Sequence, residues 1–386
     1  MKVLVVGAGL AGLNATITLQ AAGLDVTLLD RADRAGGRVA TDLVDGFLLD
    51  RGFQLINGNY PELQRLNVLD SLNFVEAPRA VSISIEGKQS FLGDPRKHLT
   101  SALNANTGSI KEKLGLLTYL TKSPKSGVSV ASQLQPLGKV YDRVLRPFLT
   151  GVFLCDPSLV EASVGKELIQ SFVTGRPGLP ANGAGALAAS LAAQVKDLRL
   201  EVQVEAIKKN SLITNIGKLN FDSLIIATDA TTAAQILDFD DVAPTVGCTT
   251  WYHVADSAPT DNAYLLLDGA QAGPVVNSLV ISNLMDSYAP VGKHLISTTT
   301  IQRASESEVR RHLSAMWATS TQNWELLAKY EIPSALPLAQ VGKRLANNVR
   351  ISANIFLAGD WRESPSQNGA LKSGRRAAET LISQRI

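Results

Sequence analysis

Cysteine is almost missing: Cys155 and Cys248 are the only two in 386 residues, and they stand in no C-x-x-C or metal-ligand spacing. A disulfide framework is excluded, and a reduced compartment is the simpler setting. Histidine is equally scarce. His98, His253, His294 and His312 are scattered, without metal spacing or a nucleophile partner, so none is assigned a catalytic role. Charge of one sign is lacking as well. A net charge of +2, dispersed and without a cluster of Lys and Arg, excludes a nucleic-acid footprint and implies no polyanionic partner. No run of about 18 apolar residues occurs, which argues against a membrane-spanning helix. The apolar N-terminal stretch is broken by glycines and leads into an acid-tipped strand, so it reads as structure rather than a signal peptide. Repeats and low-complexity tracts are absent too. What is present is an apolar content of 45% in a chain long enough to divide into two domains.

The most informative stretch is the first 38 residues. Val3 to Val6 form a short apolar run, the pattern of a strand buried on both faces of a parallel sheet. Gly7, Ala8, Gly9, Leu10, Ala11 and Gly12 follow as G-x-G-x-x-G. Gly7 serves a tight turn, Gly9 a close approach of backbone to a pyrophosphate, and Gly12 close helix-to-strand packing. Leu10 to Ala22 reads as a helix whose N-terminus offers unpaired N–H groups and positive dipole to an anion. Asp25 to Leu29 is a second apolar strand. Asp30 at its end lies 18 residues after Gly12, near the spacing at which a carboxylate meets a ribose hydroxyl. Strand, turn, helix, strand and acid thus fall in the order that dinucleotide binding requires.

Beyond Arg38 the pattern alternates. Gly46 to Ile56 suggests a strand, a turn and a return toward the first unit. From about Leu72 short strands take over, and Ala80 to Glu86 and Gln89 to Leu92 form an expected hairpin turned at Gly87-Lys88. Helices are expected around Ser109 to Thr121 and Ser129 to Leu137. Near Arg176 to Gly185 a second glycine-rich turn opens an alanine-rich helix, Ala186 to Gln194. No apolar strand is expected to lead into it, and Pro177 and Pro180 intervene, so it reads as a helix-entry turn rather than a second nucleotide site. Leu200 to Ile207 and Phe221 to Ala227 are expected strands. After a further mixed region, which includes Thr249 to Val254 and His294 to Thr299, Val349 to Leu357 leads to Gly359-Asp360 and a final helix from about Gly369 to Ser383.

These pieces together resemble the flavin-containing amine oxidase superfamily, including the protoporphyrinogen oxidases and the phytoene desaturase-like enzymes. The matching residues are Gly7-x-Gly9-x-x-Gly12, Asp30, Gly36-Gly37-Arg38, Gly46-Phe-x-x-Asp50-x-Gly52, and Leu357-Ala-Gly-Asp360 followed by Asn368-Gly-Ala. Gly151 to Pro157 and Pro180 to Gly185 look like further family segments. The resemblance implies an α/β fold: a Rossmann-like FAD-binding domain, discontinuous in sequence (residues 1–71, 177–236 and 346–386), with an inserted α+β substrate domain (72–176 and 237–345). It implies FAD as the cofactor. Gly7 to Gly12 would hold the pyrophosphate, Asp30 the adenosine ribose with Arg31 beside it, and Gly36-Gly37-Arg38 would add a charge-assisted phosphate contact. Val204 would meet the adenine through its backbone. Gly52, Phe53 and Gln54 match positions near the flavin, and Gly359-Asp360 would reach the ribityl chain. The N-terminus of the last helix, at Asn368, Gly369 and Ala370, would face the N1/C2 edge of the ring, where preorganised N–H groups stabilise developing negative charge. Arg375 and Arg376, further along that helix, read as surface charges.

Departures from the family bear on the substrate. Trp361 to Ser366 contains no cysteine where some amine oxidases attach their flavin, so noncovalent FAD is expected. The stretch Cys248 to Val254 contains no lysine, where amine oxidases commonly place one near the flavin. On it Trp251 and His253 share one face and Tyr252 takes the other, as a core or edge strand or as a cavity wall beside the flavin. Tyr141 to Gly151, with Arg143, Arg146 and Pro147-Phe148, resembles the desaturase-like branch. The expected activity is FAD-dependent hydride abstraction from carbon of a largely apolar substrate, by dehydrogenation or redox isomerisation. The alternatives are an amine oxidase releasing hydrogen peroxide and a non-catalytic flavoprotein scaffold. The expected setting is cytoplasmic. Ile110 to Leu120 reads as a core-packing helix or a lid, with peripheral rest on a membrane as the alternative.

Overall fold

The structure is a computed structural model that describes residues 1–93, 103–239, 242, 244–343 and 348–384; His98 lies outside them. Its first sheet is parallel and five-stranded. β1 (Lys2–Val6) is at the centre, with β2 (Asp25–Leu29) and then Leu198–Arg199 on one side, and Ser223–Ile226 and then Ile355–Leu357 on the other. β1 is buried on both faces because it separates two apolar layers. Val3 and Val5 pack with Leu13 and Leu19 of the helix α1 (Leu10–Ala21) and with Leu371 and Leu381 of the last helix, Gln367–Ser383. Leu4 and Val6 pack on the other face with Leu212, Phe221 and Leu224. The strand order reverses at β1, since the chain leaves it toward β2 and returns on its other flank. In open parallel sheets a ligand crevice forms at such a point, beyond the carboxyl ends of the strands.

The second sheet is seven-stranded and mixed, in the order Glu325–Pro337, Thr245–Ala255, His294–Thr300, Val275–Val280, Leu265–Asp268, Ala80–Ile85 and Lys88–Gly93. Its one parallel pair joins Leu265–Asp268 to Ala80–Ile85. One face carries helices of the 130–172 region, through Val130, Leu134, Phe148 and Ile169. The other carries the helix Glu306–Trp317. The hairpin expected from Ala80 onward is present and turns at Glu86-Gly87, both at positive φ (49° and 74°), which matches the twist of the strands it joins.

Two expectations change here. A strand does lead into the second glycine-rich turn: Pro177–Pro180 pairs antiparallel with Ile56–Asn57 and with Phe74–Glu76. Its prolines are tolerated because the segment is only four residues long and is bracketed by very short partners. The turn beyond it is still a close-packed helix entry, for a Cβ on Gly185 would come 2.8 Å from the Thr41 amide nitrogen. The strand Thr245–Ala255 is central rather than an edge, paired on both sides. Its Trp251 and His253 are buried in the layer under Glu306–Trp317, whereas Tyr252 faces Phe47 and Leu49.

Asp50 ties the helix entry at Ala184 to Tyr252 of the second sheet. Fully buried, its carboxylate accepts hydrogen bonds from the Thr41 hydroxyl (2.5 Å), the Ala184 amide (2.9 Å) and the Tyr288 hydroxyl (2.8 Å), while the Tyr252 hydroxyl donates to its carbonyl (2.8 Å). Burial pushes the carboxyl up to about 6, although its three donors work the other way. A folded-state value above the unfolded one means that Asp50 favours folding most at low pH and that this contribution is lost as pH rises from about 4 through about 6. The Asp50→Asn variant should therefore gain stability relative to wild type across that interval, by up to about 3 kcal/mol. Denaturant unfolding of both proteins from pH 4 to 7 checks this (roughly the range over which a shifted carboxyl titrates), and a constant difference would contradict it.

Candidate functional site

The crevice above β1 is built by glycines whose roles differ. Gly7 adopts φ +104°, and a Cβ there would sit 2.7 Å from the Ala227 carbonyl oxygen. On Gly12 a Cβ would strike the Gly7 carbonyl. Both positions are closed by the protein's own backbone. Gly9 is different: a Cβ there would meet nothing within 4 Å, although its φ of −71° and ψ of 178° suit any residue. Space is kept over Gly9 for something other than the chain. α1 begins at that glycine with no side-chain cap and no acid in its first turn, so its leading amides remain available to an anion. Ala8, Leu10 and Ala11 are buried beneath this loop and anchor it.

The Gly36-Gly37-Arg38 turn crosses the loop. Gly36 donates its amide to the Ala8 carbonyl (2.8 Å) and bridges Gly9, with φ +118°, and Gly37 follows at φ +58° with its Cβ direction 3.5 Å from Gly9 Cα. Asp30 stands at the other side. Its carboxylate accepts from the Ala8 amide (2.5 Å) and the Ala32 amide (2.8 Å), which fixes the end of β2 against the glycine loop. Arg31 is exposed beside it. Val202 donates to the Asp30 carbonyl (2.8 Å), and two residues on Val204 opens the strand Val204–Lys208, half-buried, at the same edge.

The C-terminal segment closes the ring. Gly359, at φ +145°, donates to the Ser373 hydroxyl (3.0 Å). Asp360 is nearly buried and accepts from Arg38 at 2.7 Å, and Arg38 also donates to the Ala335 carbonyl (2.6 Å). Burial opposes the Arg38 charge, but the Asp360 carboxylate outweighs it and the guanidinium is held above its ordinary value. Gln54 donates to the Arg38 carbonyl (2.9 Å) and accepts from Gln367 (3.2 Å), so the Gly52-Phe53-Gln54 segment bridges Arg38 to the start of the last helix. Gly52 is at φ +96° with its Cβ direction 3.1 Å from Ile332 of the second sheet, and Phe53 packs at the margin of the Tyr252 cluster.

The last helix starts two residues earlier than the sequence suggests, at Gln367, because Ser366 caps it. The cap takes up the Gly369 amide on the Ser366 hydroxyl (2.9 Å), and the Ala370 amide bonds to the Ser366 carbonyl (2.9 Å). The Asn368 side chain accepts from the Glu62 amide (3.3 Å). The free end is thus the first turn around Gln367 and Asn368. The buried Oε1 of Gln367 has no hydrogen-bond partner, which costs free energy unless a donor arrives. Sequence reading missed Ser366 and Gln367; the signal was a serine three residues before Gly369, the spacing of an N-cap. Arg375 and Arg376 are not free surface charges. Arg375 pairs with the buried Glu62 (2.8 Å), which also meets Asn14 of α1, and Arg376 contacts the buried Glu363.

The second sheet reaches this crevice along its Glu325–Pro337 strand, where Arg38 donates to the Ala335 carbonyl and the Cβ direction of Gly52 points at Ile332. On one side of that sheet Cys248, Thr250, Tyr252, Val254, Ser297, Thr299, Asn277, Leu279, Leu265 and Leu267 share a face by strand register, the Leu265 and Leu267 end lying under the helical layer and Tyr252, Val254 and Leu279 against Phe47 and Leu49. It carries no lysine, arginine, histidine or carboxylate on the inner strands. At its rim the Tyr330 hydroxyl donates to Asp42 (2.9 Å); burial works to raise that carboxyl, but Arg51, Arg34 and Tyr330 bring it down to about 2. The residues therefore fit a dinucleotide. A vacant glycine face and uncapped helix start suit a pyrophosphate, Asp30 a ribose, and the orphan Gln367 oxygen a hydrogen-bond donor.

Comparison with known proteins identifies the family and the fold. The model of the family described as flavin containing amine oxidoreductase matches residues 10–382. Hydroxysqualene dehydroxylase of Rhodopseudomonas palustris is 24% identical, over 98% of this chain and 97% of its own length. Protoporphyrinogen oxidase 2 of Arabidopsis thaliana is 28% identical over 40% of this chain and 33% of its own. Among solved structures, an oxidoreductase from Methanosarcina mazei superposes with a TM-score of 0.80 at 16% identity, covering 98% of this chain and 100% of that one. A protein described as a putative protoporphyrinogen oxidase from Exiguobacterium gives 0.75 at 17%, covering 99% of each. At such identities the two structures establish the shared α/β fold with its separate mixed sheet.

The glycines provide a test that needs no ligand. Gly12→Ala should lower unfolding stability by about 1–3 kcal/mol or more, through overpacking against the Gly7 carbonyl. Gly9→Ala should change it by less than about 1 kcal/mol. Equal losses on denaturant unfolding would contradict the distinct roles of the two positions.

Proposed function

Because the chain belongs to the flavin-containing amine oxidoreductase family, whose members are FAD-dependent oxidoreductases, we propose that it abstracts a hydride from carbon of a largely apolar substrate, by dehydrogenation or redox isomerisation. The observation that carries this reading is the uncharged face of the second sheet, bounded by apolar clusters around Tyr252 and around Phe148. An amine substrate arrives as a cation and would have to shed its water there without a charged partner, which is costly. The relative covering nearly the whole chain is named for hydroxysqualene, and a shorter match is named a hydroxyneurosporene desaturase; both names support an apolar substrate for this chain.

In this proposal residues 1–71, 177–236 and 346–386 form the FAD-binding domain, and 72–176 and 237–345 the substrate domain. Gly7 to Gly12 and the first turn of α1 hold the pyrophosphate, Asp30 the ribose, and Val204 the adenine edge. Arg38 supplies charge to the phosphates while Asp360 fixes its direction and offers an acceptor to the ribityl chain. Gly52, Phe53, Gln54, Gly359 and the start of the last helix complete the site. FAD, when bound, supplies the two-electron acceptor. The chain itself orients the substrate between an apolar wall and the crevice and keeps water out. The proposed binding is noncovalent, for the segment Trp361 to Ser366 has no cysteine.

Anaerobic mixing of the FAD-loaded protein with substrates tests the activity. Bleaching of the flavin absorbance by a polyisoprenoid with an abstractable allylic hydrogen, and none by a panel of monoamines and polyamines, is expected. Hydrogen peroxide release on an amine would replace this reading with an amine oxidase. A flavin that no substrate of either class reduces, and that a hydroxylated polyisoprenoid does not reoxidise once it has been chemically reduced, would make the protein a scaffold. Separately, Arg38→Ala should weaken FAD retention by about tenfold or more, as expected for a lost charge-assisted contact, whereas Arg311→Ala on an exposed helix should leave it unchanged; equal retention removes Arg38 from the site.

A further inference from the structure

The helix Ile110–Thr121 faces the wrong way for a core helix. A capping box fixes its start, with the Ser109 side chain on the Glu112 amide and the Glu112 side chain on the Ser109 amide, yet none of its residues is buried. Ile110, Leu114 and Leu117 are 58%, 56% and 55% exposed, and Leu103, shortly before, is 68% exposed. At 3.6 residues per turn Ile110, Leu114 and Leu117 form one stripe along a helix of about 18 Å. Ordinarily such a stripe is turned inward. Here the opposite side, with Leu116, Tyr119 and Leu120, packs on the helical layer, and two hydrogen bonds hold that orientation: Lys166 to the Tyr119 carbonyl and Gln170 to the Leu120 carbonyl, both 3.1 Å. The core-packing expectation for this helix thus holds for Leu116 and Leu120 and not for Leu114 and Leu117.

The segment that carries the stripe has an excess of positive charge. From residue 103 to 141 the chain carries Lys111, Lys113, Lys122, Lys125 and Lys139 against Glu112 alone, a net +4 in a protein whose total is +2. Glu112 is engaged inward, accepting from the amides of Ser109 (2.6 Å) and Lys139 (2.9 Å). Lys111, Lys122, Lys125 and Lys139 are exposed. We propose that this face docks on an anionic lipid surface, with Ile110, Leu114 and Leu117 inserted at the headgroup boundary and the lysines paired with lipid phosphates. Symmetric pairing with a second copy would set one positive segment against another, so charge favours the lipid. No helix among the described residues is long and apolar enough to cross a membrane, and the docking is peripheral. The proposal stands apart from the identity of the substrate.

Sedimentation of the full-length, FAD-loaded protein with phosphatidylcholine vesicles, with and without phosphatidylglycerol, tests it. Binding to the anionic vesicles alone, released by salt, is expected. Lys122→Glu with Lys125→Glu, and Leu114→Ser with Leu117→Ser, should each reduce binding by about tenfold or more, with unfolding temperatures near wild type because all four positions are exposed. Absence of binding to anionic vesicles, or binding that neither double variant lowers, overturns the proposal. So does a dimer in solution that Leu114→Ser with Leu117→Ser dissolves, which would assign the stripe to a second copy.

Discussion

At the carboxyl end of β1 the chain has no room for side chains. Gly7 lies against the Ala227 carbonyl and Gly12 against Gly7 itself, so the first strand, the first helix and the strand Ser223–Ile226 meet backbone to backbone. Gly374 repeats the device on the last helix, where a Cβ would run into the Ala11 carbonyl. These contacts draw three sequence-distant segments onto one point and leave the direction over Gly9 vacant. A substitution that adds volume at Gly7 or Gly12 acts on the fold, and one at Gly9 meets none of the chain's own atoms.

Around that point, polar links fix what the glycines bring near. Arg38 and Asp360 join residues 322 apart in the chain, and because Asp360 is buried, loss of Arg38 would strand its charge. Gln54 and Gln367 form a second tie, and Asp50 a third, its carbonyl accepting from Tyr252 of the second sheet and its carboxylate from Tyr288. The sheet face so positioned is uncharged, which suits a carbon substrate whose orientation, rather than acid–base chemistry, limits reaction.

The parts legible in the sequence were those set by local pattern. The glycine loop, β1, α1, β2 and Asp30 are contiguous, and each position has a steric reason visible in one residue. Pro177–Pro180 was missed as a strand because its partners, Ile56–Asn57 and Phe74–Glu76, lie about 100 residues or more away and override the proline signal. Arg375 and Arg376 looked like surface charges because Glu62 and Glu363 come close only in three dimensions. The helix Ile110–Thr121 shows the same limit from the other side: periodicity revealed the stripe, but only its neighbours determine which way it turns.

The central claim is that the chain holds FAD noncovalently in the crevice over Gly9. The direct measurement is absorbance of the purified protein before and after unfolding and filtration, followed by titration of the refolded apoprotein with FAD and with NAD. Flavin bands that leave with the filtrate and return on adding FAD at one equivalent, with no response to NAD, are expected. Flavin that stays with the unfolded chain, or a refolded protein that takes up no FAD, would contradict it.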